Sequence, residues 1–389
     1  SFDNSLFVDT APDPSGDLSD TWFEGYIKPW VSGEWGTSSG TVFGKASWAY
    51  ARNDDDASEI VGGSADSSDV DDLYLGWRSG ESGGDGWLFA AGRYPYQIAR
   101  TFLLSDGYAD GGARAGYWSN PRKAWELGAH ARYAANGHAL EGVYLERDEP
   151  AEFDPEIEIT GINYDWSIPD ERLTLGATWL GLSANDLEPA LDGADVWNLR
   201  AYGKPMAGPV LVQAEYAIED NGEALDASAW YVQANWHVGD QGWRPVLTYR
   251  YAWFEGDNPD TVANENYDPL FPGFEDWGTW WQGEIAGEYF ITNSNLNTHM
   301  VQLSLNPTEN IRTGLLYFQY RLNETGSYEG GVSSDDLGQE INFHLDWKFH
   351  RNWATSFILA RNEPGDAVAE AFSRTEAFNY GMIYLYLDF

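Results

Sequence analysis

The last twelve residues, 378 to 389, read FNYGMIYLYLDF and alternate with a period of two. Ile383, Leu385, Leu387 and Phe389 fall on one side, and Tyr384, Tyr386 and Asp388 on the other. This predicts a final strand with one apolar face. A chain that stops on an aromatic residue at the end of such a strand has the form that bacterial outer-membrane barrels present to their insertion machinery. The alternative for this segment alone is the closing strand of a soluble sandwich.

The same alternation recurs throughout. In 229 to 238, Trp230, Val232, Ala234, Trp236 and Val238 oppose Tyr231, Gln233, Asn235 and His237. In 338 to 349, Ile341, Phe343, Leu345, Trp347 and Phe349 oppose Glu340, Asn342, His344, Asp346 and Lys348, a row too charged for a packed core but suited to a water-filled lumen. Stretches 125 to 133, 173 to 179, 210 to 218 and 247 to 253 repeat it. Aromatic residues make up 16% of the chain, with 20 Trp and 23 Tyr, as girdles at two membrane interfaces require. Mean hydropathy is only -0.47. No run approaches the ~18 apolar residues of a spanning helix, so a membrane crossing here requires a closed sheet that satisfies every backbone group.

Connectors supply the topology, because outer-membrane barrels alternate short periplasmic turns with longer external loops. Short connectors lie near 37 to 40, 81 to 85, 135 to 137, 169 to 171, 205 to 208, 239 to 242, 307 to 309 and 350 to 352. The spans between them are 2 to 10, 21 to 31, 41 to 51, 70 to 78, 86 to 93, 124 to 133, 138 to 147, 157 to 166, 172 to 182, 195 to 203, 209 to 219, 228 to 238, 245 to 253, 297 to 305, 310 to 320, 338 to 349, 353 to 361 and 377 to 389. The fold class is therefore all-β: a transmembrane, antiparallel, up-and-down β-barrel of about 18 strands, forming a single domain over 1–389. Segment 282 to 291 alternates well enough to be a strand, but counting it inverts the order of short and long connectors. We place 254–296 in one external loop folded into the barrel mouth, and expect 94–123 to enter the lumen likewise, since loops this long without a role are uncommon.

The net charge of -40, from 62 acids against 22 Lys and Arg, excludes nucleic acid as a partner and gives no attraction to bare anionic lipid. The acids crowd 53 to 59, 146 to 158 and 254 to 276. These runs read as solvated loops; divalent cations such as Ca2+, bridging loops to phosphates of surface lipopolysaccharide, are the alternative. There is no Cys, so thiolate metal sites and disulfides are absent. The chain opens on Ser1 without a charged-then-apolar leader and reads as a mature form whose export signal has been removed.

Several segments resemble the alginate export porin family of Gram-negative outer membranes: YIKPWVSGEWG (26 to 36), WLFAAGRYPY (87 to 96) leading into SDG (105 to 107), the loop at 267 to 290 and LGQEINFHLDWKF (337 to 349). The resemblance covers most of the chain. It implies an eighteen-stranded barrel that passes an anionic uronate polymer along a lumen lined by basic side chains. It puts Lys28 where the family carries a lumen Arg before Pro-Trp, and Arg93 in the family's Gly-Arg segment. In 70 to 78 the family tends to place a basic residue where Asp71 or Asp72 stands here.

Strand phase assigns the other inward charges independently of any family. Glu126, His130 and Arg132 share one row; Arg200, Glu215 and Arg250 come from neighbouring strands; Glu340, His344, Asp346 and Lys348 form a third. Arg93, Arg100 and Arg114, near the ends of the 94–123 insertion, form a candidate constriction, against the alternative that they pair with nearby acids. Trp277, Trp280, Trp281, Tyr289 and Phe290 are placed to stack on sugar faces or to pack a plug onto the wall. Catalytic motifs are missing: no His-Glu-x-x-His, no Gly-x-Ser-x-Gly, and no phosphate-cradling loop. Carboxylate pairs such as Glu156 with Glu158 arise by chance among so many acids. We therefore expect no enzyme activity and no resident cofactor.

The expected function is passive diffusion of a polar, anionic oligo- or polysaccharide through a monomeric porin in the outer membrane, with both termini periplasmic. A substrate-specific uptake channel for small organic acids is the nearest competitor. A soluble, secreted carbohydrate-binding β protein and an adhesion or receptor barrel are competitors of other classes.

Overall fold

The computed structural model describes residues 2–7, 23–53, 65–105, 107, 114–116, 119, 121–148, 156–168, 172–204, 208–239, 242–273 and 281–387. Eighteen antiparallel strands form one sheet in which sequential neighbours pair. They are β1 (Phe2–Phe7), β2 (Glu24–Ile27 continuing as Trp30–Thr37), β3 (Gly40–Asn53), β4 (Asp66–Arg78), β5 (Gly86–Arg93) and β6 (Leu127–Ala135). Next come β7 (His138–Glu146), β8 (Ile157–Ile168), β9 (Leu173–Ala184), β10 (Asp195–Gly203), β11 (Val210–Asp220) and β12 (Asp226–His237). The last six are β13 (Val246–Phe254), β14 (Leu296–Thr308), β15 (Ile311–Arg321), β16 (Asp336–His350), β17 (Trp353–Pro364) and β18 (Phe378–Leu387). β1 pairs with β18, Phe2 opposite Leu387 and Phe7 opposite Met382. The sheet is thus a closed barrel with no free edge, which a hydrocarbon environment demands.

The two parts of β2 belong to one ladder with β3, because Glu24 faces Asn53, Trp30 faces Ser47 and Thr37 faces Gly40 without a register slip. The gap falls at Pro29, which has no N–H to give, although its carbonyl accepts the Trp48 N–H at 3.1 Å. Between β3 and β4 the register does slip. Ala46 faces Leu73 and Trp48 faces Val70, so Asp71 and Asp72 together oppose Ser47 in a β-bulge. Both aspartates are buried on the lumen side as a result.

Outside the barrel, the rows picked out by alternation are exposed: Leu73 and Leu75, Trp197 and Leu199, Ile341 and Phe343, Phe357 and Leu359. These are the lipid-facing positions. Near the short turns their aromatic members touch, Trp87 with Tyr133 at 4.6 Å and Trp347 with Phe349 at 5.4 Å between ring centroids, as an interfacial girdle does.

The buried apolar cluster lies inside the cylinder, made by the two long connectors against the wall. Ile98, Phe102, Leu103, Leu104, Tyr267 and Phe271 pack on Leu145, Ile159, Leu180, Val196, Tyr231 and Phe254. The connectors also join each other: Leu104 and Phe271 form a parallel bridge, and the Gly273 N–H donates to the Thr101 carbonyl at 2.7 Å. Segment 282 to 291 is not a strand. Ala286–Phe290 is a five-residue π-helix within the connector between β13 and β14.

Every expected span is occupied by a strand, with different ends. β2 runs six residues past the expected end, to Thr37, because residues 32 to 37 stay fully paired with β3 up to the expected turn. β4 begins at Asp66, four residues before the expected span. β6 begins at Leu127. Trp125, assigned by phase to the outer row, is instead fully buried in the plug, its indole N–H donating to the Tyr96 carbonyl at 2.9 Å and its ring 5.1 Å from Phe271. Positions 8 to 10, Asp388 and Phe389 lie outside the described residues.

Candidate functional site: a lumen of paired charges

Three groups of polar side chains line the interior. The first joins the bulge in β4 to the start of the chain and to the 94–126 connector. Lys28 is salt-bridged to Asp71 and donates to the Pro121 carbonyl at 2.8 Å, while Asp71 also accepts the N–H groups of Lys123 (2.8 Å) and Ala124 (2.9 Å). Asp72 takes Lys45 at 2.7 Å and the Ser47 hydroxyl at 2.6 Å. Next to them Asp148 is shared by three guanidinium groups: Arg93, Arg114 at 3.4 Å and Arg122 at 2.8 Å. Arg122 also reaches the exposed Asp69 at 3.3 Å.

The second group is a hydrogen-bond circuit across β6 to β12. Arg200 donates to Asp165 (2.8 Å), Thr178 (2.7 Å) and Asn163, and to Asn198 (3.2 Å), which itself donates to Glu215 at 3.2 Å. Glycine at 176 makes room for it, since a methyl group there would collide with the guanidinium and with Asp165. Tyr231 donates to Glu215 at 3.1 Å. At the other end Glu141 takes Arg132 at 3.2 Å and the Tyr96 hydroxyl at 2.9 Å, with His130 at 3.8 Å.

The third group holds the π-helical segment. Glu340, 1% exposed, accepts the N–H groups of Ile285 (3.0 Å) and Ala286 (2.7 Å) and amide donors from Asn342 (2.7 Å) and Asn362 (3.2 Å). Tyr320 donates to the Gln282 carbonyl at 2.6 Å. Arg250 lies 4.1 Å over the Trp281 ring and donates to the Trp281 carbonyl. Gly283 adopts φ +97°, turning the chain against Glu340 where a side chain would not fit.

The residues singled out from sequence therefore fall into distinct roles. Lys28, Arg93 and Arg114 meet at the first group, each already engaged with a carboxylate or with a neighbour. Arg100 lies 6.0 Å over Tyr202. Arg132, His130, Arg200 and Glu215 belong to the circuit, and Arg250 and Glu340 to the third group. His344 is buried with Asp346 at 3.1 Å. Lys348 is exposed near the short-turn end. Glu126 is exposed just before β6, because the buried Trp125 takes the inward place beside it. Trp281 packs in the plug, 5.7 Å from Phe102; Trp277 and Trp280, and the side chains of Tyr289 and Phe290, lie outside the described residues.

Alternation could not find Asp148, Arg122, Lys45, Asp165 or Asn163 as partners, since their contacts span tens of residues. Asp71 and Asp72 are visible as an acidic pair, but only the bulge explains why both point inward. Among the described residues, no three acidic or His side chains are gathered to hold a metal ion.

At the long-connector end of the barrel, burial pushes the Asp268 carboxyl up from its usual range, and burial with the nearby Asp268 charge does the same to Glu188, both moderated by Arg147. An acid whose folded pKa is raised is disfavoured when charged, so stability is gained as pH falls through that value and levels off below the unfolded one. The protection factors of amides in 185 to 193 and 265 to 272, exchange rates corrected for the intrinsic pH dependence of amide exchange, should therefore rise between pH 7 and pH ~4; lower protection on acidification would contradict the assignment.

A closed eighteen-stranded cylinder with hydrocarbon-facing rows outside and charged, hydrogen-bonded side chains inside defines an outer-membrane channel barrel. The family model for alginate export matches residues 145–381, and the chain belongs to that family. No curated protein sequence matches it. Among solved structures it is similar to the outer membrane protein OprD from Pseudomonas aeruginosa, with a TM-score of 0.62 at 11% identity, covering 99% of this chain and 91% of that one. Two further Pseudomonas aeruginosa structures, OpdK with vanillate and OccK2 (OpdF) in complex with glucuronate, each give a TM-score of 0.61 at 11% identity, covering 99% of this chain and 96% of theirs. At that identity the likeness is one of fold.

Proposed function

We propose that this chain is a passive channel for small anionic saccharides of the uronate class, working as a monomer among membrane lipid and surface lipopolysaccharide, with both termini periplasmic. The observation that carries the proposal is the gathering of Lys28, Lys45, Arg93, Arg114 and Arg122 on one side of the lumen of a chain whose net charge is -40. Each cation has a carboxylate partner; Lys28, Lys45 and Arg93 keep part of their side chains exposed and can share a passing carboxylate, while the buried Arg114 and Arg122 contribute through their field. One tight site would stop conduction. The solved barrels of like fold that hold vanillate and glucuronate make small carboxylates reasonable cargo.

A second reading, small organic acids without a sugar ring, is favoured by the two connectors, whose packing against β7 to β16 fills part of the lumen. Planar-bilayer recording separates the two. The saccharide reading expects anion preference and current interruptions by oligouronates; interruptions by aromatic or aliphatic acids alone favour the second reading. Cation preference with no interruption by either would contradict both.

A further inference from the structure

The second half of β2, Trp30–Thr37, is exposed on both faces, unlike β16, where Glu340, Asn342 and His344 are buried. The unbroken register fixes which face is which. Val31 and Trp35 share the outer rows with Ala46, Leu73 and Val42, facing lipid. Even-numbered residues face inward: Glu24, fully buried and accepting the Ser119 N–H at 2.5 Å, then Lys28 on Asp71, Trp30, Ser32, and Glu34, which takes Arg78 at 2.6 Å.

Trp30 is 50% exposed within this inward row. Its register partner is Ser47, and the next inward pair is Ser32 with Lys45. A large indole facing lumen water gains nothing from hydrocarbon and is not consumed by plug packing, so its flat face is available to a ligand. The C–H faces of a pyranose ring fit such a surface, while flanking Lys45, Ser32 and Glu34 supply donors and acceptors for ring hydroxyls or a carboxylate.

We propose that Trp30 is a stacking platform for a pyranose ring on the open side of the lumen, beside the cationic group around Asp71 and Asp72. This rests on the saccharide reading above and adds to it a contact that does not depend on the solute's charge. It therefore predicts that neutral sugars dwell in the pore as well as uronates.

The test uses the full chain in planar bilayers, with a neutral glucose-based trisaccharide and a trimeric uronate as probes. Both should interrupt the wild-type current. Trp30→Ala should shorten both residence times by about tenfold, the equivalent of about 1.4 kcal/mol, and Trp30→Phe should restore most of the loss. Lys45→Ala should shorten the uronate events alone. Heat-modifiable gel migration verifies that each variant is a folded barrel. If uronate events are the same in wild type and Trp30→Ala, the platform is overturned while the channel reading stands. If neither sugar interrupts the wild-type current, both fall.

Discussion

Glu340→Ala is expected to free the π-helical segment from the wall and raise the open-channel conductance. Its carboxylate accepts the Ile285 and Ala286 N–H groups, and it is buried beyond the reach of bulk water. Hydrogen bonds to a charged group are worth about 1.5–3 kcal/mol each, and unpaired buried donors cost more than the bonds returned. A local loss of ~3 kcal/mol should speed amide exchange across 281 to 290 by roughly 150-fold, detectable by mass spectrometry. Glu340→Gln keeps an acceptor oxygen and should fall between the two. Unchanged conductance and unchanged exchange in Glu340→Ala would show that Arg250 and Tyr320 hold the segment without it.

Asp148→Ala should have the larger effect on ion selectivity. Three guanidinium groups, Arg93, Arg114 and Arg122, converge on this one carboxylate, and all four side chains are mostly buried. Removing it leaves clustered positive charge in a poorly solvated place, which costs about 3–5 kcal/mol when a buried pair is broken. The 94–126 connector should loosen, lowering the temperature at which the folded band converts to the unfolded one on a gel. The reversal potential in a salt gradient should move toward anion selectivity. A move toward cation selectivity would contradict the placement of this cluster on the conducting path.

The barrel was largely legible in the sequence because a two-residue period reports directly which side of a wall a residue faces. Ile341 and Phe343 could be assigned to lipid, and Glu340 and His344 to the interior, without knowing any partner. The period loses its meaning wherever the backbone leaves ideal pleating. At Asp71 and Asp72 an extra residue puts consecutive side chains on one face, and at Trp125 the chain is still part of the inserted connector. The long connectors were legible only as long. Their anchoring depends on Glu340 meeting Ile285, and on Asp71 meeting Lys123, contacts that no local pattern encodes. The same limit applies to the basic residues: phase says that Arg200 points inward, but not that Asp165, Asn163 and Thr178 already occupy it.

Apolar rows ring the outside of this cylinder and polar rows line its inside. The chain contains no Cys, so single cysteine substitutions report without background. Cysteine at Leu75, Leu199 or Phe343 should resist a charged, water-soluble thiol reagent in proteoliposomes, and an environment-sensitive probe attached there should be quenched by brominated acyl chains. Cysteine at Ser32 or Lys348 should react with the reagent and escape that quenching. The reverse pattern, with reagent access at Leu75, Leu199 and Phe343 and lipid quenching at Ser32 and Lys348, would contradict the account.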